Sequence, residues 1–171
     1  MTGAAMQFYT YRLFIYSAII FCGTAMQTFA VDQINEQLVF TKKTYANVEY
    51  LVAYDENKQY LGGIEYSSSC CRIHYLWVAW PMRGKGIGSL LFIQALNNLK
   101  EDGCKCVQWE SRSTAIEFYK KFGAVSNAEE YPLFSQWGIV DPNMMKFDFR
   151  RHGDPAENLK RNSIQKNNER V

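Results

Sequence analysis

Histidine is scarce in this chain: His74 and His152 are the only two. The five cysteines (Cys22, Cys70, Cys71, Cys104 and Cys106) include no C-x-x-C pair. Zinc sites are assembled from such pairs and histidines at set spacings, so no metal centre is expected. Cys104 and Cys106 flank Lys105 on a strand-like segment and read as packing residues on one face. Pairing among the cysteines beyond Cys22 stays open, because spacing does not decide connectivity. An excess of one charge is missing too. The formal net charge is +2, and residues 31–150 hold 13 basic against 14 acidic residues. A body without a basic footprint argues against a nucleic-acid partner. Hydrophobic content of 47% against 21% charged excludes a disordered chain, and 171 residues suit one domain.

A long apolar run is also absent. Residues 13–26 carry no charge and follow Arg12, but 14 residues fall short of the roughly 20 that a membrane-spanning helix needs. Thr28 and Ala30 then place small residues at the −3 and −1 positions of a possible cut. The segment reads as a secretory leader, a membrane anchor, a buried first helix, or sequence ahead of a true start at Met26. On this reading the chain divides into a leader at residues 1–30, a folded body at residues 31–150 and a polar tail at residues 151–171. The tail is expected to be disordered.

Aromatic residues, in contrast, are plentiful, with 11 Tyr, 11 Phe and 4 Trp; such a composition suits strands. Residues 47–55, 60–67 and 72–80 read as three strands, joined by connections too short for anything but an antiparallel meander. Gly88, Leu91, Phe92, Ala95, Leu96 and Leu99 follow at helical spacing, with Gly103 as the stop. Residues 104–110 make another strand. Thr114 and Glu117 offer a capping box for a helix carrying Ala115, Phe118, Tyr119 and Phe122. A weak strand at residues 124–126 and an alternating one at residues 144–149 close the body.

The segment that carries chemistry is Arg83-Gly84-Lys85-Gly86-Ile87-Gly88-Ser89, a three-glycine turn between strand and helix. Phosphate oxygens need several converging N–H donors, and a helix N-terminus supplies them together with the positive end of its dipole. Glycines keep side chains out of that approach, and Arg83 and Lys85 add positive charge. Lys85 precedes Gly86 and not Ser or Thr, so this is not a Walker loop. The G-x-G-x-G spacing also departs from the dinucleotide fingerprint. Glu110, at the end of the next strand, mimics the ribose-binding acid of such folds, which keeps a dinucleotide-binding domain as an alternative.

Leu76-Trp77-Val78, followed by Arg83-Gly84-Lys85-Gly86-Ile87-Gly88, resembles the acyl-CoA-binding motif of the GCN5-related N-acetyltransferases (GNAT family). That motif reads Arg/Gln-x-x-Gly-x-Gly/Ala after a strand. Ala115-Ile116-Glu117-Phe118-Tyr119-Lys120-Lys121-Phe122-Gly123 resembles the family's second signature helix. The two occur in order, and the resemblance covers residues 47–149. It implies an α/β fold, a mixed α+β sheet whose central strands splay apart, and acetyl-CoA as co-substrate with no metal.

In that family the pantetheine arm pairs with strand backbone, here that of Leu76 and Val78. The diphosphate would rest on the N–H groups of Gly84, Lys85, Gly86, Ile87, Gly88 and Ser89, with Arg83 beside it. Trp77 and Trp80 would pack. The reaction implied is direct transfer to a primary amine, on a small molecule or a peptide. The N–H near Val78 would serve the oxyanion, and Tyr119 would return a proton to the leaving thiolate. The family does not assign the base; Glu65 on the second strand is the first candidate, ahead of Glu110 and His74. Arg112 stands where the family often has Asn, and the acceptor-binding region before residue 47 is short. Both leave open a CoA-binding module without catalysis. Acetyl-CoA is made in the cytosol, so a cytoplasmic location or the cytoplasmic face of a membrane, reached through residues 13–26, is favoured over export.

Overall fold

The computed structural model describes residues 38–168; the apolar segment at residues 13–26, with its leader and anchor readings, lies outside the described residues. Among the described residues the strands are β1 Val39–Tyr45, β2 Val48–Tyr54, β3 Tyr60–Ser67, β4 Arg72–Val78, β5 Cys106–Glu110, β6 Val125–Ser126 and β7 Met144–Asp148. They form one sheet in the order β1-β2-β3-β4-β5-β7-β6. The helices are α1 Ile87–Glu101, α2 Ile116–Lys120, α3 Asn127–Glu130, α4 Pro132–Gln136, α5 Phe149–His152 and α6 Pro155–Asn168. β1 to β4 run antiparallel, β4 and β5 are parallel, and β7 pairs antiparallel with both β5 and β6. This is the mixed sheet expected.

Strict alternation in β2 buries Glu49, Leu51 and Ala53 on one face. Their cross-strand partners Tyr66, Ile64 and Gly62 continue that face on β3. Helix α1 lies over it with Leu91, Phe92, Ala95, Leu96 and Leu99, all fully buried. Each leucine and phenylalanine among them contributes about 1.5–3 kcal/mol on burial. The core extends under β5 and β7 through Val107, Trp109, Met145 and Phe147.

Strand β1 was not foreseen. Ala46 and Asn47 form the β1–β2 turn with φ of 48° and 67°, a left-handed pair usually given to Asn-Gly. The turn therefore carries no glycine signal, and the strand's Lys42, Lys43 and Tyr45 are exposed. Lys42 is held by Glu49 at 2.8 Å.

The expected capping box at Thr114 does not form. A 3-10 turn at Ser113–Ala115 leads into α2 without a side-chain cap, and the box occurs instead at Ser126 and Glu129 of α3. Cys104 is a further departure. It precedes β5 and is disulfide-bonded to Cys71, tying the β3–β4 turn to the α1–β5 turn with 5.7 Å between Cα atoms.

The tail expected to be disordered is ordered through α6. Pro155 is buried and Leu159 packs on the core. Asn158 donates to the carbonyls of Phe122 (3.0 Å) and His152 (2.6 Å), and Asn162 donates to that of Lys121 (2.9 Å). The last carbonyls of a helix have no intrahelical partner; here side-chain amides supply one. Such a helix is docked by polar groups, which a hydrophobic pattern does not reveal. No helix among the described residues is long and apolar enough to cross a membrane.

Candidate active site

β4 and β5 are joined by a single residue pair, Arg72 with Gln108. The bond there runs from Gln108 N–H to Cys71 O (3.2 Å), directly beside the disulfide. Beyond that pair the strands part, and a cleft of about 560 Å³ opens between them. Ala79 N–H donates to Leu61 O on β3. Main-chain groups alternate sides along a strand, so those of Val78 and Leu76 turn toward β5 and the cleft. The two central strands thus splay as the fold class requires.

At the mouth the chain enters α1 through the glycine turn. Gly84 and Gly86 have φ of 77° and 87°, and nothing lies within 4 Å of where their Cβ atoms would stand. Glycine is needed at both for backbone conformation, while open space surrounds them. Gly88 has a different reason: its Cβ would meet Val78 Cγ2 at 3.4 Å and Phe118 at 3.7 Å, so it sets how closely α1 approaches β4. Among the described residues the N–H groups of residues 84–88 have no hydrogen-bond acceptor. The N–H of Ser89, in contrast, donates back to Gly86 O (2.9 Å).

Leu76, Val78, Arg83, Gly84, Gly86, Ile87, Gly88, Ser89 and Tyr119 all line the cleft. Two of the expected residues do not. Lys85 folds back on Met82, its Nζ 3.6 Å from the thioether sulfur. Glu65 sits on β3 and is separated from the opening by all of β4. Arg83 lines the mouth but is partly engaged, donating from Nε to Val78 O (3.1 Å) with its guanidinium over the Trp80 ring. The other two candidate bases, Glu110 and His74, are in the lining, as is Arg112.

Tyr119 is 8% exposed and forms the inner wall. Its ring packs against Phe92, Trp109 and Phe118 with centroids 4.9–5.1 Å apart. Burial pushes the phenol up to about 12, so it holds its proton at neutral pH. Trp109 went unnoticed in the sequence because a tryptophan in an alternating strand looks like any core residue. It lines the cleft, and its buried indole N–H has no partner among the described residues.

The sequence profile of the acetyltransferase (GNAT) domain matches residues 17–146. The chain belongs to the GNAT acetyltransferase family, and acetyl transfer is its class of chemistry. GCN5 from Tetrahymena shares 16% identity over 64% of this chain and 73% of its own, with a TM-score of 0.50, and supports the fold. An acetyltransferase from Bacillus cereus aligns over 85% of this chain and 91% of its own at 21% identity and a TM-score of 0.42. The PaiA N-acetyltransferase of Thermoplasma acidophilum, solved with coenzyme A, aligns over 60% and 61% at 18% identity and a TM-score of 0.46. No curated protein matches the sequence.

Proposed function

We propose that the protein transfers an acetyl group from acetyl-CoA directly to a primary amine. The observation that carries this reading is the sequence of groups along one cleft. A strand edge at Leu76 and Val78 with no neighbouring strand, its Val78 carbonyl accepting from Arg83 Nε, leads from the open glycine turn to a buried, protonated Tyr119. The free amides of residues 84–88 fit a diphosphate, as several converging donors at the start of a helix do. The strand edge fits the amides of a pantetheine arm, which would add to it as an extra strand.

With acetyl-CoA so placed, the neutral amine attacks the thioester carbonyl carbon, the new C–N bond forms, and the C–S bond breaks. Main-chain N–H near Val78 stabilises charge developing on the carbonyl oxygen. Tyr119 gives its proton to the departing thiolate. The amine's surplus proton passes to a group in the lining, and Glu110 and His74 are the residues in reach of the cleft. Glu65 lies outside that lining and takes another role, argued below.

The test is Tyr119→Phe. Turnover is expected to fall by about 10²–10⁴, with acetyl-CoA affinity, read by tryptophan fluorescence, nearly unchanged. Equal turnover would remove Tyr119 from the mechanism. A wild-type protein that binds acetyl-CoA but transfers to no amine would favour a CoA-binding module instead.

A further inference from the structure

The sheet face turned away from α1 carries its own arrangement. Glu65 of β3 pairs directly with Tyr50 of β2 and Tyr75 of β4, so the three stand in one cross-strand row. Directly opposed Cβ atoms are about 4.5–5.5 Å apart. The next row is Val52, Gly63 and Trp77. Gly63 leaves that row open in the middle, and Tyr60 fills it: its hydroxyl is 2.9 Å from where a Gly63 Cβ would stand. The Tyr60 ring stacks on Trp77 with centroids 5.3 Å apart and planes 9° apart, and Tyr54 meets it at 6.0 Å.

This aromatic floor has one carboxylate at its border. Glu65 is half-buried and, among the described residues, makes no hydrogen bond or ion pair. The nearest cation in register on this face is Lys43, opposite Tyr50 on β1. It stands two strand spacings from Glu65, roughly 9–10 Å. Ring faces are electron-rich and attract cations, and a half-buried unpaired carboxylate does the same. The surface continues into the cleft, because Tyr75 and Trp77 line both.

We infer that this face recognises the acceptor, and that the acceptor is a small organic cation. One cationic group of it sits against Glu65 and its apolar body lies on Tyr60 and Trp77, while a second, neutral amine reaches the cleft to be acetylated. The assignment rests on the acetyl-transfer reading for the word acceptor, while the surface binds its cation whether or not transfer occurs.

The experiment titrates the full chain with n-butylammonium, benzyltrimethylammonium and neutral n-butanol, followed by tryptophan fluorescence. Acetyl-CoA binding is measured in parallel. Both cations should saturate and the alcohol should not. Glu65→Gln should weaken cation binding about tenfold and leave acetyl-CoA binding unchanged. Gly63→Ala, whose Cβ displaces the Tyr60 hydroxyl, should weaken it as well. Absence of saturation, equal affinity in Glu65→Gln, or equal binding of the alcohol would overturn the inference. A lysine peptide that binds more tightly than n-butylammonium would overturn the assignment to a small molecule. Retained cation binding without acetyl-CoA binding would support the surface while overturning the transferase reading.

Discussion

The ring of Tyr119 lies 5.1 Å from the indole of Trp109, and neither polar edge has a hydrogen-bond partner among the described residues. A tyrosine in water is half-ionised near pH 10; burial holds this one up to about 12. A proton donor of that kind stays loaded through the alkaline range. The kcat–pH profile is therefore expected to show no decline with a midpoint near 10, and such a decline would argue against Tyr119 as the acid. The linked stability effect has a definite sign. The folded value lies above the unfolded one, so this contribution is complete below about pH 10 and is lost as pH rises from there toward 12.

Gly86→Ala and Gly103→Ala make a matched pair. Both glycines have positive φ, 87° and 91°, and both have open space where Cβ would go. Each substitution should cost about 1–2 kcal/mol in left-handed strain. Only Gly86 belongs to the turn with free amides, so only Gly86→Ala should also weaken acetyl-CoA binding. Parallel urea melts and fluorescence titrations check this, and equal binding in both variants would contradict the role of the turn.

The disulfide between Cys71 and Cys104 closes a loop across 33 positions of sequence, immediately below the one pair that joins β4 to β5. Restricting the unfolded chain in this way is worth about 3–4 kcal/mol in the chain-entropy model. Reduction, or replacement of both cysteines by Ser, should lower unfolding stability by that order and weaken acetyl-CoA binding as the base of the cleft loosens. Urea unfolding with and without reductant measures the first effect. A shift under about 1 kcal/mol would show that the bridge adds little.

The docking of α6 depends on His152 as well as Asn158. His152 Nδ1 accepts from Asp148 N–H at 3.1 Å, which requires the neutral ring. Burial lowers its pKa below the ordinary value. As pH falls through about 6.5 the unfolded chain takes up the proton first, so stability should drop until pH passes the lower folded value. Unfolding midpoints at about pH 8 and 5 should differ in that direction, and His152→Asn should flatten the dependence. Asn158→Ala, which frees the carbonyls of Phe122 and His152, should cost about 1–3 kcal/mol.

Much of the core was legible because its signals are local. The recurrence of Leu91, Phe92, Ala95, Leu96 and Leu99 marks α1, and every one of them is buried. The alternation around Met145 and Phe147 marks β7. The elements that escaped notice are those held by non-local or polar contacts. β1 leads into a turn without glycine, and α6 is attached through asparagine amides. Cys71 and Cys104 are brought together only by the return of the chain through α1. The cleft residues divide in the same way. The glycines were readable from their spacing and Tyr119 from the resemblance of its helix to a family motif, whereas Glu65 and Lys85 depend on which way a side chain leaves a strand or turn.

By itself the sequence determined β2 to β5, β7 and the helices α1 and α2, where a phosphate-sized turn lies, and which family motifs the chain carries. Periodicity and glycine spacing are properties of neighbouring residues, so they survive without a fold. Only the tertiary structure decided that β4 and β5 part after one pair, that Trp109 stands beside Tyr119, and that Tyr60 lies across Gly63 next to an unpaired Glu65. Those relations join residues from different strands and helices. They exist only once the sheet has set its register and the helices have packed on it.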